Sequence, residues 1–176
     1  VSLSPETKVL TTTNTSAAAT GTLNLNVTTP ASPSAADHED NRIGEGLWAR
    51  WYLDAVFGRH YPADIVAEGI QRGVLPADGP AFVQAGDMQT IGTPIDFLGI
   101  NYYTRNLSRN REVDELDNEL PTVFQAPKTP YTWTEMPWEI FPQGLYEVLM
   151  RVHLHYKPRK LYVTENGASF SDGPDA

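Results

Sequence analysis

Polar and apolar side chains alternate from Thr22 to Val27, with Leu23, Leu25 and Val27 on one face, and this predicts a short strand. The run Pro30 to Asp40 breaks it. From Gly44 to Phe57, Leu47, Trp48, Trp51, Tyr52 and Ala55 recur at spacings of three and four. That period predicts a helix whose aromatic stripe packs into the core rather than serving as a binding platform. Two shorter helices are expected next, one between Pro62 and Gln71 with its proline at a first-turn position, the other near Pro80 to Met88. Residues 95–103 read IDFLGINYY, a nearly continuous apolar and β-rich run that suits a strand covered on both faces in a parallel sheet. Gln143 to Tyr156 places Leu145, Val148, Leu149, Val152 and Tyr156 along one side of a helix that Pro158 stops. Leu161 to Thr164 predicts a last strand, ending in Glu165 and an Asn166-Gly167 turn.

Two stretches carry no usable period. Residues 1–20, rich in Thr, Ser and Ala, are read as linker or loop, and residues 104–134, charged in their first half and proline-bearing in their second, as one long loop. The remaining order is strand, helices, strand, loop, helix, strand. Such alternation predicts an α/β fold built from βαβ units with a parallel sheet.

Composition narrows the partners more than the fold. Of 176 residues, 13 are Lys or Arg and 22 are Asp or Glu, for a formal net charge of −9. That field repels phosphate backbones and anionic lipid surfaces, so neither nucleic acid nor membrane is an expected partner. No run approaches the roughly 18 to 20 apolar residues of a membrane-spanning helix. With no cysteine, thiolate nucleophiles, disulfides and Cys-held metals are excluded. His153 and His155 lie two apart on a predicted helix and so face different directions, while His38 and His60 sit in separate segments. No metal site and no cofactor are expected, and the cellular compartment is left open.

In parallel α/β architectures the helices cover the sheet faces, so ligands gather at the carboxyl ends of the strands. Asn101-Tyr102-Tyr103 stands at one such end and Glu165 at another. A carboxylate where a buried strand runs out must be solvated, paired or catalytic, because burying it bare is expensive.

Five blocks resemble glycoside hydrolase family 1, the β-glucosidase family. They are TLNLN at 22–26 followed by PAS at 30–32, RWYLDAVFGRHYPADI at 50–65, IDFLGINYYTRN at 95–106, PWEIFPQGL at 137–145 and LYVTENGASF at 161–170. The resemblance covers residues 21–176 as a partial catalytic domain and leaves 1–20 as a Thr/Ser-rich linker or insertion. It implies a (β/α)8 TIM barrel, here represented by about strands 5 to 7 with their helices and loops. It also implies a retaining hydrolase of β-glycosides in which Glu165, within Thr164-Glu165-Asn166-Gly167, is the nucleophile. A carboxylate beneath the anomeric carbon stabilises an oxocarbenium-like transition state and forms a covalent glycosyl ester, and its site should supply hydrogen-bond donors. By the same resemblance Tyr103 orients the nucleophile, Asn101 is a polar contact in the sugar pocket, and Trp138 stacks on a sugar at the leaving-group side, with plain loop packing as its alternative. Strand alternation turns Tyr102 away from Tyr103.

The sequence departs from the family in its second carboxyl group. Retention needs two, roughly 5 to 5.5 Å apart, and the family's Asn-Glu-Pro motif that carries the acid/base occurs nowhere in this chain. Three readings therefore stand. The chain is the nucleophile-bearing part of a β-glucosidase, inactive alone, that acts on a β-glucoside or oligosaccharide once N-terminal and eighth-strand segments complete the barrel. Otherwise it belongs to a 6-phospho-β-glucosidase or 6-phospho-β-galactosidase of the same family, or it is a non-catalytic sugar-binding remnant.

Overall fold

The computed structural model describes residues 20–110 and 133–171. The expected linker lies outside the described residues except for Thr20, as does most of the expected loop, residues 111–132. Five strands alternate with helices: β1 Thr20–Asn24, β2 Val27–Pro30, α1 Ala35–Glu45, a π-helical turn Gly46–Arg50, α2 Trp51–Val56, α3 Ala63–Gln71, α4 Asp87–Ile91, β3 Phe97–Asn101, β4 Arg105–Ser108, α5 Pro142–Tyr156 and β5 Leu161–Glu165.

β1, β3 and β5 form a parallel sheet with β3 in the middle. Its centre is close-packed. Leu98, Gly99 and Ile100 are all buried, as an apolar strand covered on both faces requires. Gly99 is needed there because a Cβ would stand 2.9 Å from the side chains of both Thr22 and Thr164 on the flanking strands. α2 and α5 cover one face, where Leu53, Val148 and Val152 meet Leu25, Leu98, Ile100 and Tyr102. Val148 and Val152 are fully buried on the predicted side of α5, and that helix ends as expected: Lys157 turns left-handed with φ 51° and Pro158 follows.

The predicted strand Thr22–Val27 is divided. Its first half pairs with β3, whereas Val27–Pro30 pairs in parallel with β4, a strand inside the stretch read as loop. The reason is a shared kink. Leu25 still donates its N–H to the carbonyl of Asn101 at 3.0 Å. At the next residue the side-chain carbonyl of Asn26 accepts from the N–H groups of Tyr103 and Thr104, both at 3.4 Å, where the ladder is interrupted.

Three helical expectations change as well. The segment Pro30–Asp40 contains the start of α1, capped by the Ser34 hydroxyl, which accepts from the N–H of Asp37 at 3.1 Å. The stripe expected in the core is displaced: Trp48 is 70% exposed and Leu47 is exposed, while Ala49, Leu53 and Ala55 are buried. The π turn at Gly46–Arg50 causes this, because its wider winding stops positions three and four apart from sharing one face. Near Pro80–Met88 only α4 forms, starting at Asp87 after Gly86 adopts φ 96°. Helix α3 falls within the expected bounds.

Among the described residues the sheet does not close. β1 and β5 are its two edges among the described residues, and on β5 Tyr162 and Val163 are nearly half exposed. None of the described helices is long and apolar enough to cross a membrane.

Candidate active site

Glu165 ends β5, and its placement depends on an irregularity one step earlier. Ile100 pairs with Val163, but Asn101 pairs with Glu165, so Thr164 is an extra residue on β5 opposite the Ile100–Asn101 step. Such a bulge re-aims the side chains around it. Its effect is visible in two hydrogen bonds. Thr164 donates its hydroxyl to Oδ1 of Asn101 at 2.7 Å, and the next residue, Glu165, accepts through Oε2 from the Tyr103 hydroxyl. Thr164 and Glu165 therefore both reach the side where Asn101 and Tyr103 sit, which strict strand alternation forbids.

The backbone holds the same corner. Tyr102 donates its N–H to the carbonyl of Glu165 at 3.0 Å, and Asn166 donates through Nδ2 to the carbonyl of Tyr102 at 2.7 Å. Tyr102 itself points the other way, into the core, where its hydroxyl donates to the carbonyl of Phe141 at 2.6 Å. Burial, with the charges of Glu147 and Glu139 behind it, pushes the Tyr102 phenol up to about 12. The Tyr103 phenol is also raised, first by its bond to Glu165, then by burial and by the charge of that carboxylate. Both phenols are neutral donors at neutral pH.

Trp138 joins this group. Its ring is 5.2 Å from that of Tyr103, centroid to centroid, at an interplanar angle of 46°. The tryptophan sits in a short turn closed by the bridge between Trp133 and Glu139, by the Thr134 N–H bonding the Trp138 carbonyl at 2.8 Å, and by the Trp138 N–H bonding the Thr134 hydroxyl at 3.2 Å. Arg105 donates to both carboxylate oxygens of Glu139, at 2.5 and 2.9 Å.

The structure thus brings Asn101, Tyr103, Trp138 and Glu165 to the carboxyl ends of β3 and β5. The expected acidic residue is open to solvent: Glu165 is exposed, at the end of a strand that is an edge of the sheet among the described residues. Asn26, Thr164, Asn166 and the Arg105–Glu139 pair were not foreseen. Thr164 and Asn166 flank Glu165, and Asn26 follows β1 by two residues, so adjacency to a strand end was the available signal. The pairing of Arg105 with Glu139 had no local signal, since 34 positions separate them. Among the described residues no group of three His, Asp or Glu side chains could hold a metal ion.

Comparison with known proteins bears on the family and the fold. The model of Glycosyl hydrolase family 1 matches residues 5–175. Beta-glucosidase A of Acetivibrio thermocellus is 31% identical over 157 residues, which is 85% of this chain and 32% of that protein. A 6-phospho-beta-galactosidase of Clostridium acetobutylicum is 27% identical over 162 residues, 81% of this chain and 34% of that one. The crystal structure of a beta-glucosidase from Exiguobacterium marinum superposes with a TM-score of 0.71 at 32% identity, covering 92% of this chain and 34% of its own. The chain spans about a third of the length of the relatives it matches, so its open three-stranded sheet is a partial α/β arc of a TIM barrel. The family model covers nearly the whole chain and the fold superposes on that of a beta-glucosidase: the chain belongs to glycosyl hydrolase family 1.

Proposed function

We propose that this chain carries the nucleophile side of a retaining β-glycosidase, with β-glucosides as substrate, and that Glu165 is the nucleophile. The observation that carries the reading is the hydrogen bond from Tyr103 to Glu165 at the strand ends. A neutral phenol can aim a carboxylate without cancelling its charge. In the first step a carboxylate oxygen of Glu165 bonds to the anomeric carbon as the bond to the leaving-group oxygen breaks, and that oxygen takes a proton from an acid/base group. In the second step water bonds to the same carbon, returns its proton to that group and frees Glu165. Asn101 contacts the sugar hydroxyls, and Trp138 offers an indole face to the leaving-group side.

The acid/base is the missing participant, since no Asn-Glu-Pro occurs in the chain. By this reading the chain alone is inactive, residues 21–176 are one partial catalytic domain behind a linker or insertion at 1–20, and activity requires the strands that complete the barrel. The β-glucosidase relatives support glucose as the sugar. A 6-phospho sugar is the second reading, favoured by the phosphogalactosidase among the relatives.

The test is a 2-fluoro-β-glucoside inactivator applied to the completed enzyme, followed by mapping of the modified peptide. The label is expected on Glu165, and a label elsewhere removes the assignment. Glu165→Ala is expected to lower turnover by about three orders of magnitude or more. Parallel assays with an aryl β-glucoside and its 6-phosphate separate the two sugars, and turnover by the isolated chain would refute the claim that it lacks an acid/base.

A further inference from the structure

Two hydrogen-bonded side chains outside the site stand where they can set its geometry. Arg105 lies two residues after Tyr103 on the same run of chain, and Glu139 is the residue next to Trp138. The guanidinium meets the Glu139 carboxylate side by side, Nε to Oε2 at 2.5 Å and Nη2 to Oε1 at 2.9 Å. This two-point contact fixes direction as well as distance. A third contact holds the same residue, because the Thr104 hydroxyl donates to the Glu139 carbonyl at 2.9 Å. The guanidinium also lies 4.2 Å over the ring of Phe141, two residues further on.

We propose that Arg105 is a positioning residue: through Glu139 it holds the Trp138 turn against Tyr103, and so sets the distance between the indole face and the carboxylate of Glu165. The link is short and stiff. Residues 103–105 supply both the phenol that binds Glu165 and the cation that captures the neighbour of Trp138, so the two ring positions are tied at one end to a single piece of backbone. The other end of the turn is held separately, by the Glu135 N–H bonding the Ser169 carbonyl at 3.0 Å. Arg105 and Glu139 retain only 26% and 19% of their side-chain exposure, so the pair is less screened than a surface ion pair. The functional half of the inference rests on the reading of Glu165 and Trp138 given above. Its structural half does not.

The experiment labels the full chain with 5-fluorotryptophan and assigns the Trp138 fluorine resonance by its loss in Trp138→Phe. In Arg105→Lys, which keeps the charge and loses the fork, the Trp138 resonance is expected to shift while that of Trp51, in the helical layer, stays in place. Glu139→Gln should move the same resonance. A Trp138 resonance unmoved in both variants overturns the proposal. So does loss of dispersion at all four tryptophans in both, because the pair would then hold the fold rather than one turn. In the completed enzyme Arg105→Lys should lower kcat/KM for a disaccharide by up to about 100-fold, the scale on which small misplacements act, with a smaller loss for an aryl glucoside. Equal kcat/KM in variant and parent overturns the functional half. A 2-fluoro label away from Glu165, with the fluorine shift present, would mean that the nucleophile assignment has failed and the positioning has not.

Discussion

The Tyr103 hydroxyl donates to Oε2 of Glu165 across 62 positions of sequence. Nothing in either strand alone requires that meeting. It follows from β3 and β5 being parallel neighbours and from the bulge at Thr164, which turns the last residue of β5 towards the side of Tyr103.

The bond has a titration consequence. Glu165 raises the Tyr103 phenol by accepting its hydrogen bond and by its own charge, so Glu165→Ala removes both effects and the phenol falls towards its ordinary value near 10. Ultraviolet titration should show one tyrosine ionising at lower pH than in the parent chain, and the difference should disappear in a Tyr103→Phe background. Identical curves would mean that the bond does not form in solution.

Acid sensitivity should pass through Asp64. Arg50 donates to both its oxygens, at 3.0 and 2.7 Å, and with Arg42 holds the carboxyl at about 2, below its ordinary 3.8. A depressed value means that the stabilisation is present above about pH 4 and is lost as pH falls towards 2. Asp64 is 39% exposed, so after discounting for screening Asp64→Asn should cost about 1 kcal/mol at neutral pH. Urea unfolding across that window should show the parent and variant converging. A constant gap would assign the loss to something other than charge.

Gly144 should tolerate no side chain. A Cβ there would run into the Tyr102 hydroxyl, Val27 and the Phe141 ring. Gly144→Ala is therefore expected to displace the Tyr102–Phe141 hydrogen bond and to cost about 1 to 3 kcal/mol, as overpacked sites do. Thermal or urea unfolding measures it directly.

The free edge of β5 predicts self-association. Tyr162 and Val163 expose 48% and 44% of their surface on a strand paired on one side only among the described residues. Unpaired apolar edges template further pairing. Sedimentation of the isolated chain should show mass rising with concentration, and Val163→Lys should reduce that rise. If the lysine has no effect, association does not run through this edge.

Helices α3 and α5 and strands β3 and β5 were legible because each rests on its own local pattern: a proline start, a 3.6 period, a continuous apolar run. Asn101, Tyr103 and Glu165 were legible as strand-end residues, and family resemblance added Trp138. Less was legible wherever two distant segments decide one outcome. Residues 22–27 alternate cleanly, yet the strand breaks at Asn26 because its partner segment kinks at Tyr103 and Thr104. Leu47 and Trp48 keep perfect helical spacing, yet the π turn beneath them rotates them to solvent.

By itself the sequence determined α3, α5, β3 and β5 and which side chains stand at the ends of those two strands, since backbone propensity and side-chain period are local properties. Only the tertiary structure decided that Glu165 faces Tyr103, that Arg105 grips Glu139, and that β1, β3 and β5 lie side by side with β3 in the middle. Each of those depends on which backbones lie side by side, and that choice is made by burial and hydrogen bonding summed over the whole chain.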